Sequence, residues 1–389
     1  MNVTGRSVQG APLSLTSLPL VEISGAPRER GRQYGEQARD RVQRAMTYYA
    51  EAFGHSSGLT WEQVVQRAAR WVEPSRAFAP DLVEEMEGIA EGAGVDFLDV
   101  LALNARGEII YDTTFSSMEP DGCTSFALMG EAAGDGHVYA GQNWDWRDGV
   151  SGTLMVLRVV QPGKPTVIMH VEAGQVGRQG ANSAGIALNA NGLGGRFDDS
   201  VGVPQTLIRR RVLDSDNLNA ALEALTKPRA HIASNALVTH REGFAIDLET
   251  TPGAVGWMYP TDGLLVHGNH YQAFVPPQLA ASYRPGSADS LFRVPRAEGG
   301  LRAVAEASGT DEARKRIRLA MSDHLGYPES LCTHPDPAQP AVRRWATLLS
   351  SCVDLTTGDY LIAAGTPCDH EYERVPWNLY DGPHGEVTP

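Results

Sequence analysis

The sequence predicts an α+β fold, because helical and strand-like patterns occupy separate parts of the 389-residue chain. Helical periodicity dominates before residue 121, short β-type runs dominate the middle, and helices return between later strands. The regular strand–helix alternation of a parallel sheet does not occur in the pattern. Since no repeat of fixed period and no clear linker divides the chain, we expect one domain over residues 1–389.

The helices predicted for the first third follow from apolar residues at a spacing of four. Tyr34, Ala38 and Val42 share one face of a helix expected over residues 28–53, just after Pro27, which suits a first turn. Similar patterns predict helices over 61–72, 81–90 and 98–110.

The predicted strands are short β-type runs separated by glycine-rich turns. They cover residues 124–129, 137–141, 153–160, 166–171, 185–189, 236–240, 244–248 and 264–267. Helices are expected over 204–213, 218–225, 289–308 and 312–323, with Pro295 interrupting or restarting the third of these. Residues 345–355 and 360–364 are expected to form a hairpin, and the polar tail after Pro376 is expected to be loose.

The composition excludes several classes of protein. Apolar residues make up 42% of the chain and charged residues 21%, which is typical of a globular protein. A formal charge of −14 argues against nucleic acid or an anionic membrane as partner. The first 25 residues lack a signal-peptide pattern, and the four cysteines form no CxxC pair. A cytoplasmic, reducing location is therefore expected.

The sequence carries no GxSxG nucleophile elbow, phosphate loop or HExxH helix. His267 and His270 are three residues apart, and in a strand such side chains face opposite sides, so they are poorly placed to share a metal. The glycine cluster at 192–195 lacks the strand–turn–helix frame of a dinucleotide site. We expect no metal and no bound organic cofactor.

The most informative stretch is DGCTS at 121–125, where helical sequence gives way to a strand. A thiol that follows a glycine carbonyl can attack it and shift the acyl group from nitrogen to sulfur. Hydrolysis of that thioester would break the chain between Gly122 and Cys123 and free an α-amine with a reference pKa near ~8. The amine can then act as general base toward its own thiol. A buried structural cysteine is the alternative interpretation.

Polar residues downstream fit the same chemistry. Asp145 lies in GQNWDW, and a hairpin return over 137–141 would carry it back toward the cysteine. A carboxylate there can hydrogen-bond an α-ammonium or orient the thiol, although it could also cap a turn. Asparagines at 182–189 and 269 could donate to an oxyanion, although asparagine commonly satisfies backbone groups in turns.

Together these pieces resemble the acyl-coenzyme A:isopenicillin N acyltransferase family of N-terminal nucleophile hydrolases, which is related to choloylglycine hydrolases. The resemblance runs from about Leu20 to Arg374. It is carried by glycines at 31 and 35, NxRxE at 104–108, DGCTS at 121–125, GQNWDW at 141–146, DLETTP at 247–252 and the closing hairpin at 347–367.

The resemblance implies a four-layer αββα sandwich that cleaves itself between Gly122 and Cys123. The fragments, 1–122 and 123–389, would remain associated. The cysteine would be the nucleophile and its α-amine the base. Asp145 matches the family's acidic residue near the nucleophile.

Other positions are carried over in the same way. Asn269 matches the oxyanion-hole asparagine, and Asn189 aligns with another active-site asparagine. Arg293 is the candidate for a late arginine of the family, with Arg296 next. Pairing with Asp289 at i,i+4 on a helix is the simpler interpretation of Arg293.

Three residues of GQNWDW are expected to contact substrate. Gln142 stands where choloylglycine hydrolases carry an arginine, which changes the charge around the thiol. Trp144 and Trp146 alternate about Asp145, so one is expected to line the site and the other to pack in the core.

The resulting hypothesis is an enzyme that hydrolyses or transfers the acyl group of a small N-acyl amine or amide through a Cys123 thioester. An acyl-coenzyme A is a further candidate donor, and the sequence does not choose between water and an amine as acceptor. Two alternatives stay open: an uncleaved binding or scaffold protein of the same fold, and a cysteine peptidase that pairs the thiol with His137 or His170.

Overall fold

The computed structural model describes residues 18–114 and 122–382. Asp121 of DGCTS and residues 383–389 of the predicted tail lie outside the described residues. In chain order the elements are β1 (Leu20–Ser24), α1 (Pro27–Ser57), α2 (Trp61–Ala68), α3 (Val72–Phe78), α4 (Pro80–Ala93), α5 (Phe97–Asn104), α6 (Arg106–Thr114), β2 (Gly122–Leu128), β3 (Tyr139–Arg147), β4 (Leu154–Val160), β5 (Val167–Glu172), β6 (Gln179–Asn182), β7 (Ile186–Asn189), α7 (Gln205–Leu213), α8 (Leu218–Thr226), β8 (Ser234–His240), β9 (Phe244–Thr250), β10 (Val255–Met258), β11 (Leu264–His267), α9 (Ser290–Arg302), α10 (Thr310–Met321), β12 (Trp345–Asp354), β13 (Asp359–Ala363) and β14 (Glu373–Asn378).

The described strands form two sheets. The first has the order β1-β4-β5-β6-β7-β8-β9-β10, and the second has the order β11-β2-β3-β12-β13-β14. The sheets pack face to face through β2 and β3 on one side and β7 and β8 on the other. Helices α1, α7 and α8 contact the first sheet. Helix α9 contacts the second sheet, and α10 packs against α9. This layering confirms the predicted α+β class and the αββα sandwich.

Strand β2 shows how the sequence places the candidate nucleophile between the sheets. Phe126 and Leu128 pack with the apolar side chains of α9 and α10. Cys123 and Ala127 belong to the other core, which lies between the two sheets and extends to the N-terminal helices. Because side chains alternate across a strand, the period of two puts the Cys123 thiol on the inner face.

The early glycines mark a close contact between helices α1 and α4. A Cβ atom on Gly31 would lie 2.1 Å from the carbonyl oxygen of Glu85, and one on Gly92 would lie 2.2 Å from that of Arg32. Both distances are far below van der Waals contact with backbone atoms that cannot move aside. Only glycine lets the two helices approach this closely.

Several predicted elements were wrong in detail. The helix expected over 98–110 is two helices, α5 and α6, separated at Ala105. Helix α9 runs through Pro295, which lies on its exposed side, so the loss of one hydrogen bond does not break the helix. The strand expected over 137–141 is longer, since β3 continues to Arg147 and includes the GQNWDW segment. Strands β1, β6, β10 and β14 were not predicted, and the end of β14 gives regular structure to residues 377–378 of the expected loose tail.

Candidate active site

The pairing of β2 with β3 places the Gly122–Cys123 junction beside an acidic side chain. Gly122 is opposite Asp145 and Cys123 is opposite Trp144 in this antiparallel pair. A Cβ atom on Gly122 would lie 3.2 Å from Cβ of Asp145 and 3.4 Å from its Oδ2. The glycine therefore leaves room for the carboxyl group directly beside the junction.

Hydrogen bonds hold the backbone of Cys123 on both sides of its Cα atom. Its N–H donates to Oδ1 of Asn269 at 2.8 Å. Its carbonyl oxygen accepts from Nδ2 of Asn191 at 2.9 Å and from Nη1 of Arg293 at 2.6 Å. The side chain is buried, and its Sγ lies 3.8 Å from the carbonyl oxygen of Asp145. The nucleophile candidate is thus held rigidly in a shielded position.

Arg293 is fully buried and links helix α9 to the junction. Its Nη1 also donates to Oγ1 of Thr124 at 2.7 Å, and its Nη2 donates to Oδ1 of Asn269 at 2.9 Å. Its Nε donates to Asp289 at 2.6 Å, so the i,i+4 pair expected from the sequence is also present. The planar guanidinium, with several N–H donors, can therefore bind Asp289 and the groups around Cys123 at the same time. Arg296 instead pairs with Asp323 near the surface.

Asp145 is a buried carboxyl group with one satisfied oxygen. Oγ1 of Thr347 donates to its Oδ1 at 2.6 Å, whereas Oδ2 has no hydrogen-bond partner in the described structure. Burial raises the pKa of Asp145 to about 7, although the nearby Arg293 opposes the shift. This carboxyl can therefore exchange a proton near neutral pH, next to the peptide bond that joins Gly122 to Cys123.

The asparagines of the site differ from the prediction in one respect. Asn269 contacts Cys123 through its carbonyl oxygen, while its Nδ2 donates to the carbonyl of Gly192 at 3.1 Å. Asn191, and not Asn189, reaches the cysteine, and its Nδ2 also donates to the carbonyl of His267 at 2.9 Å. Asn189 is the last residue of β7, two positions earlier. Asn189 was expected from the family resemblance, and no local sequence pattern singles out Asn191.

A buried polar network lies behind Asn191 and fixes it. The Asn191 N–H donates to Oδ1 of Asn235 at 2.5 Å, and Nδ2 of Asn235 donates to Asp247 at 2.7 Å. His267 lies between Asp247 and Glu249, with its Nε2 3.0 Å from the Glu249 carboxylate. These two carboxylates raise the pKa of His267 against the effect of burial. The imidazole of His267 is thus engaged by this network and helps to hold it together.

The three residues expected to contact substrate fall into two groups. Both oxygen and nitrogen of the Gln142 side chain bind the backbone of Ala190, at 3.0 and 2.9 Å. Gln142 therefore supports the neighbouring sheet and does not line the cavity. Trp144 and Trp146 both line the cavity, rather than only one of them. Arg178 lies over the Trp144 ring at 3.7 Å from its centroid.

The cavity beside Cys123 has a volume of about 70 Å³ and is rich in arginine. Arg106, Arg178 and Arg209 line it together with Glu108 and Asp145. Burial raises the pKa of Glu108, as it does that of Asp145, which reduces the negative charge in the cavity. Glu172 pairs with Arg106 and Arg178 and offsets part of their positive charge.

The NxRxE pattern before the junction anchors α5 and α6 to residues that follow Cys123. Nδ2 of Asn104 donates to the carbonyl of Gly174 at 2.8 Å, and its Oδ1 accepts from the N–H of Val176 at 3.0 Å. Arg106 binds Glu172. These side chains are buried, so the segments before and after the junction are joined by contacts that water does not reach.

Comparison with known proteins identifies the family of this chain. The model of the acyl-coenzyme A:6-aminopenicillanic acid acyl-transferase family matches residues 132–336, more than half of the chain. The chain belongs to this family. Among curated relatives, the 40 kDa form of acyl-coenzyme A:6-aminopenicillanic-acid-acyltransferase from Emericella nidulans is 29% identical over 313 residues, 80% of this chain and 84% of the relative.

Solved structures are similar at a greater distance. Penicillin V acylase from Agrobacterium tumefaciens is 16% identical with a TM-score of 0.40, over 62% of this chain and 83% of that one. A mutant form of conjugated bile acid hydrolase from Clostridium perfringens is 14% identical with a TM-score of 0.39, over 66% of this chain and 97% of that one.

The matched region of this acyl-transferase family member contains Asp145, Asn191, Asn269 and Arg293, but begins after Cys123. The position of the nucleophile candidate relative to them therefore comes from the structure. Among the described residues, no helix is both long and apolar enough for a membrane crossing.

The histidines proposed for a Cys–His pair are placed unfavourably. Nδ1 of His170 is 3.0 Å from the hydroxyl of Tyr360, its Nε2 has no hydrogen-bond partner in the described structure, and burial lowers its pKa to about 3. His137 precedes Tyr139, which pairs with Leu128, five residues along β2 from Cys123. At about 3.3 Å per residue, that separation is roughly 17 Å.

Proposed function

We propose that this acyl-transferase family enzyme processes itself between Gly122 and Cys123 and then uses the new N-terminal Cys123 as its nucleophile. The proposal rests on the hydrogen bonds of the Cys123 backbone: its N–H donates to Asn269, and its carbonyl accepts from Asn191 and Arg293. Asp145 lies beside the junction. Such preorganised donors and acceptors are what acyl-transfer chemistry requires.

Self-processing begins when the Cys123 sulfur attacks the carbonyl carbon of Gly122. The C–N bond breaks as the C–S bond forms, and the nitrogen takes up the proton that the thiol gives up. Water then hydrolyses the thioester, which leaves a carboxylate on Gly122 and a free thiol and α-amine on Cys123. Asp145, with a pKa raised to about 7, is placed to pass the proton to the departing nitrogen.

The mature enzyme would use the same groups in a second reaction. The α-amine takes the proton of its own thiol, the thiolate attacks an amide carbonyl, and the amine product leaves with a proton. Water or an acceptor amine then resolves the acyl-enzyme. The α-amine of Cys123 keeps Oδ1 of Asn269 as its hydrogen-bond acceptor. Nδ2 of Asn269, which donates to the Gly192 carbonyl in this structure, is the candidate donor to the oxyanion.

Asp145 gains a partner through cleavage. The new α-ammonium group of Cys123 can approach Oδ2, the oxygen that has no hydrogen-bond partner in the described structure. A positive charge at that distance favours the ionised carboxylate. Cleavage would therefore convert a carboxyl group with a pKa of about 7 into a carboxylate that orients the α-amine.

The cavity supports a proposal for the substrate class. Its volume of about 70 Å³ and its three arginines support a small N-acyl amine or amide with an anionic group, near Arg178 and Arg209. An acyl-coenzyme A is a second candidate donor, since the Emericella relative is named for that activity. No metal or organic cofactor is needed in this scheme. We further propose a reducing, cytoplasmic location, in line with the low number of cysteines and the lack of a CxxC pair in the sequence.

The fragments 1–122 and 123–389 are proposed to stay together after cleavage. Strand β1 pairs in parallel with β4, from Leu20 with Val156 to Ser24 with Val160. The first fragment thus contributes an edge strand to the first sheet of the second.

Mass spectrometry of the larger fragment after exposure to an activated acyl ester tests this function. We expect one acyl group on the 123–389 fragment, attached to Cys123 and released by hydroxylamine. Cys352→Ala, which removes another buried thiol, should still be labelled. Labelling that persists in Cys123→Ala, or no labelling of a cleaved wild type, would contradict the proposed nucleophile.

A further inference from the structure

Four metal-binding side chains converge beside strand β12, and none of them lines the cavity next to Cys123. They are His324, Cys332, His334 and Cys368, and each offers a ligand atom within 4.8 Å of the other three. Nε2 of His334 is 3.1 Å from Nε2 of His324, 3.6 Å from Sγ of Cys332 and 3.3 Å from Sγ of Cys368. Two nitrogens and two sulfurs therefore lie close enough together to be candidate ligands of one metal ion.

These distances have the size expected around a tetrahedral ion. Zinc binds histidine nitrogen at about 2.0–2.1 Å and cysteine sulfur at about 2.3 Å, which makes the edges of the tetrahedron roughly 3.3–3.8 Å long. The three distances from His334 are close to this range. A set of two thiolates and two imidazoles is also the donor combination that zinc prefers over magnesium or calcium.

The cluster joins two connections between regular elements of the fold. Three of its residues are on the connection between α10 and β12, which spans residues 322–344 with one short 3-10 turn at Ala341–Arg343. The fourth, Cys368, is on the connection between β13 and β14. Long irregular connections in a compact protein are uncommon unless something holds them, and closing such a loop is where a metal stabilises most.

We propose that His324, Cys332, His334 and Cys368 form a structural zinc site. Binding would release the two thiol protons to solvent, and two thiolates would balance the charge of the ion. Because the protein supplies all four ligands, the site has no open position for a substrate, which is the arrangement of structural rather than catalytic zinc. Cys332 is buried and His324 is exposed, so the ion could enter from the surface.

The site also borders the candidate active site through one residue. Thr333 lies between two of the ligands; its N–H donates to Oγ1 of Thr347 at 3.0 Å, and its carbonyl accepts from the Thr347 N–H at 2.9 Å. Thr347 in turn donates to Asp145. A metal at this position would brace the segment that holds the acidic side chain of the site.

Metal analysis of the full chain tests the proposal. Wild type purified without chelator, or incubated with zinc and desalted, should carry one zinc per chain. His324→Ala and Cys332→Ser should lose it. Two matched controls, His55→Ala at an exposed histidine and Cys352→Ser at a buried cysteine, should keep it. Because His324 is exposed, its replacement tests the site without disturbing the core.

Two further measurements distinguish loss of the metal site from misfolding of a variant. Cobalt substitution should give the visible ligand-field bands of a tetrahedral site with thiolate ligands, and a chelator should lower the melting temperature of wild type but not of His324→Ala. A wild type that holds no zinc after loading, zinc retained by both His324→Ala and Cys332→Ser, or a Cys332–Cys368 disulfide in the native protein would overturn the proposal.

Discussion

The backbone N–H of Cys123 donates to Oδ1 of Asn269 across 2.8 Å, although 146 positions separate the two residues in the chain. This hydrogen bond joins the start of β2 to the turn that follows β11. It gives Asn269 a role in holding the nucleophile's nitrogen before cleavage and, in our proposal, the amine after it. Arg293 donates to the same oxygen and fixes its orientation.

Removing the Asn269 amide should slow both reactions. We expect Asn269→Ala to lower the rates of self-processing and of acyl transfer by about 10²–10³, the usual effect of losing one preorganised group at an acyl-transfer centre. Cleavage followed over time by denaturing gel, and ester hydrolysis by the residual cleaved enzyme, would measure the two rates. Unchanged rates in a folded variant would remove Asn269 from the mechanism.

The two neighbouring asparagines should differ in effect. Asn191→Ala removes a donor to the carbonyl of Cys123 and should slow processing strongly, whereas Asn189→Ala should change it only slightly. The same cleavage assay compares them. A larger effect for Asn189 would show that the residue inferred from the family resemblance, and not the one in contact, acts in the reaction.

Arg293 should not tolerate a change to lysine. Lysine keeps the charge but cannot reach the Cys123 carbonyl, Asn269 and Asp289 together, because it lacks the planar fork. We expect Arg293→Lys to be processed poorly, and Arg296→Lys, on the same helix but outside the site, to behave as wild type. Equal processing of the two variants would contradict the role given to Arg293.

The carboxyl of Asp145 should make the stability of the uncleaved chain depend on pH. Its pKa is raised from 3.8 to about 7, so between these values the folded chain binds more protons than the unfolded one, and stability falls as pH rises. At 1.36 kcal/mol per pKa unit, the full cost above pH 7 is about 4 kcal/mol. Arg293 and Asp289 are the charged groups that face it.

Urea unfolding of Cys123→Ala with and without Asp145→Asn would measure this effect. As pH rises from about 4 to about 7, the free energy of unfolding of the Asp145 protein should fall relative to that of the Asp145→Asn protein. Parallel pH profiles would mean that Asp145 is already ionised in the uncleaved chain.

Some of the residues proposed from sequence patterns lie close together in the structure, while their roles stay predictions. Cys123, Asp145, Asn269 and Arg293 were all proposed, and the structure brings them together. Local pattern was enough for the β2–β3 pairing because the strand period decides which side chains face the junction. The strand expected over 137–141 was too short, because the polar residues of GQNWDW do not form a strand-like pattern, whereas in the structure they are buried as part of β3.

What the sequence could not give depends on contacts between distant segments. Asn191 follows its strand and is placed by Asn235 and Asp247, which no local pattern links to it. The ligands of the proposed zinc site come from two connections, with His334 and Cys368 34 positions apart, so no familiar metal-binding spacing appears. Strand β1 was missed because its alternation covers only five residues.

The denatured mass of purified wild type beside Cys123→Ala tests self-processing most directly. We expect wild type to give fragments of about 13 and about 29 kDa, which divide 41.9 kDa in proportion to 122 and 267 of 389 residues, with the larger one beginning at Cys123. The variant should remain whole. A single species of 41.9 kDa in both samples, from folded protein, would contradict the N-terminal nucleophile mechanism and favour an uncleaved binding protein.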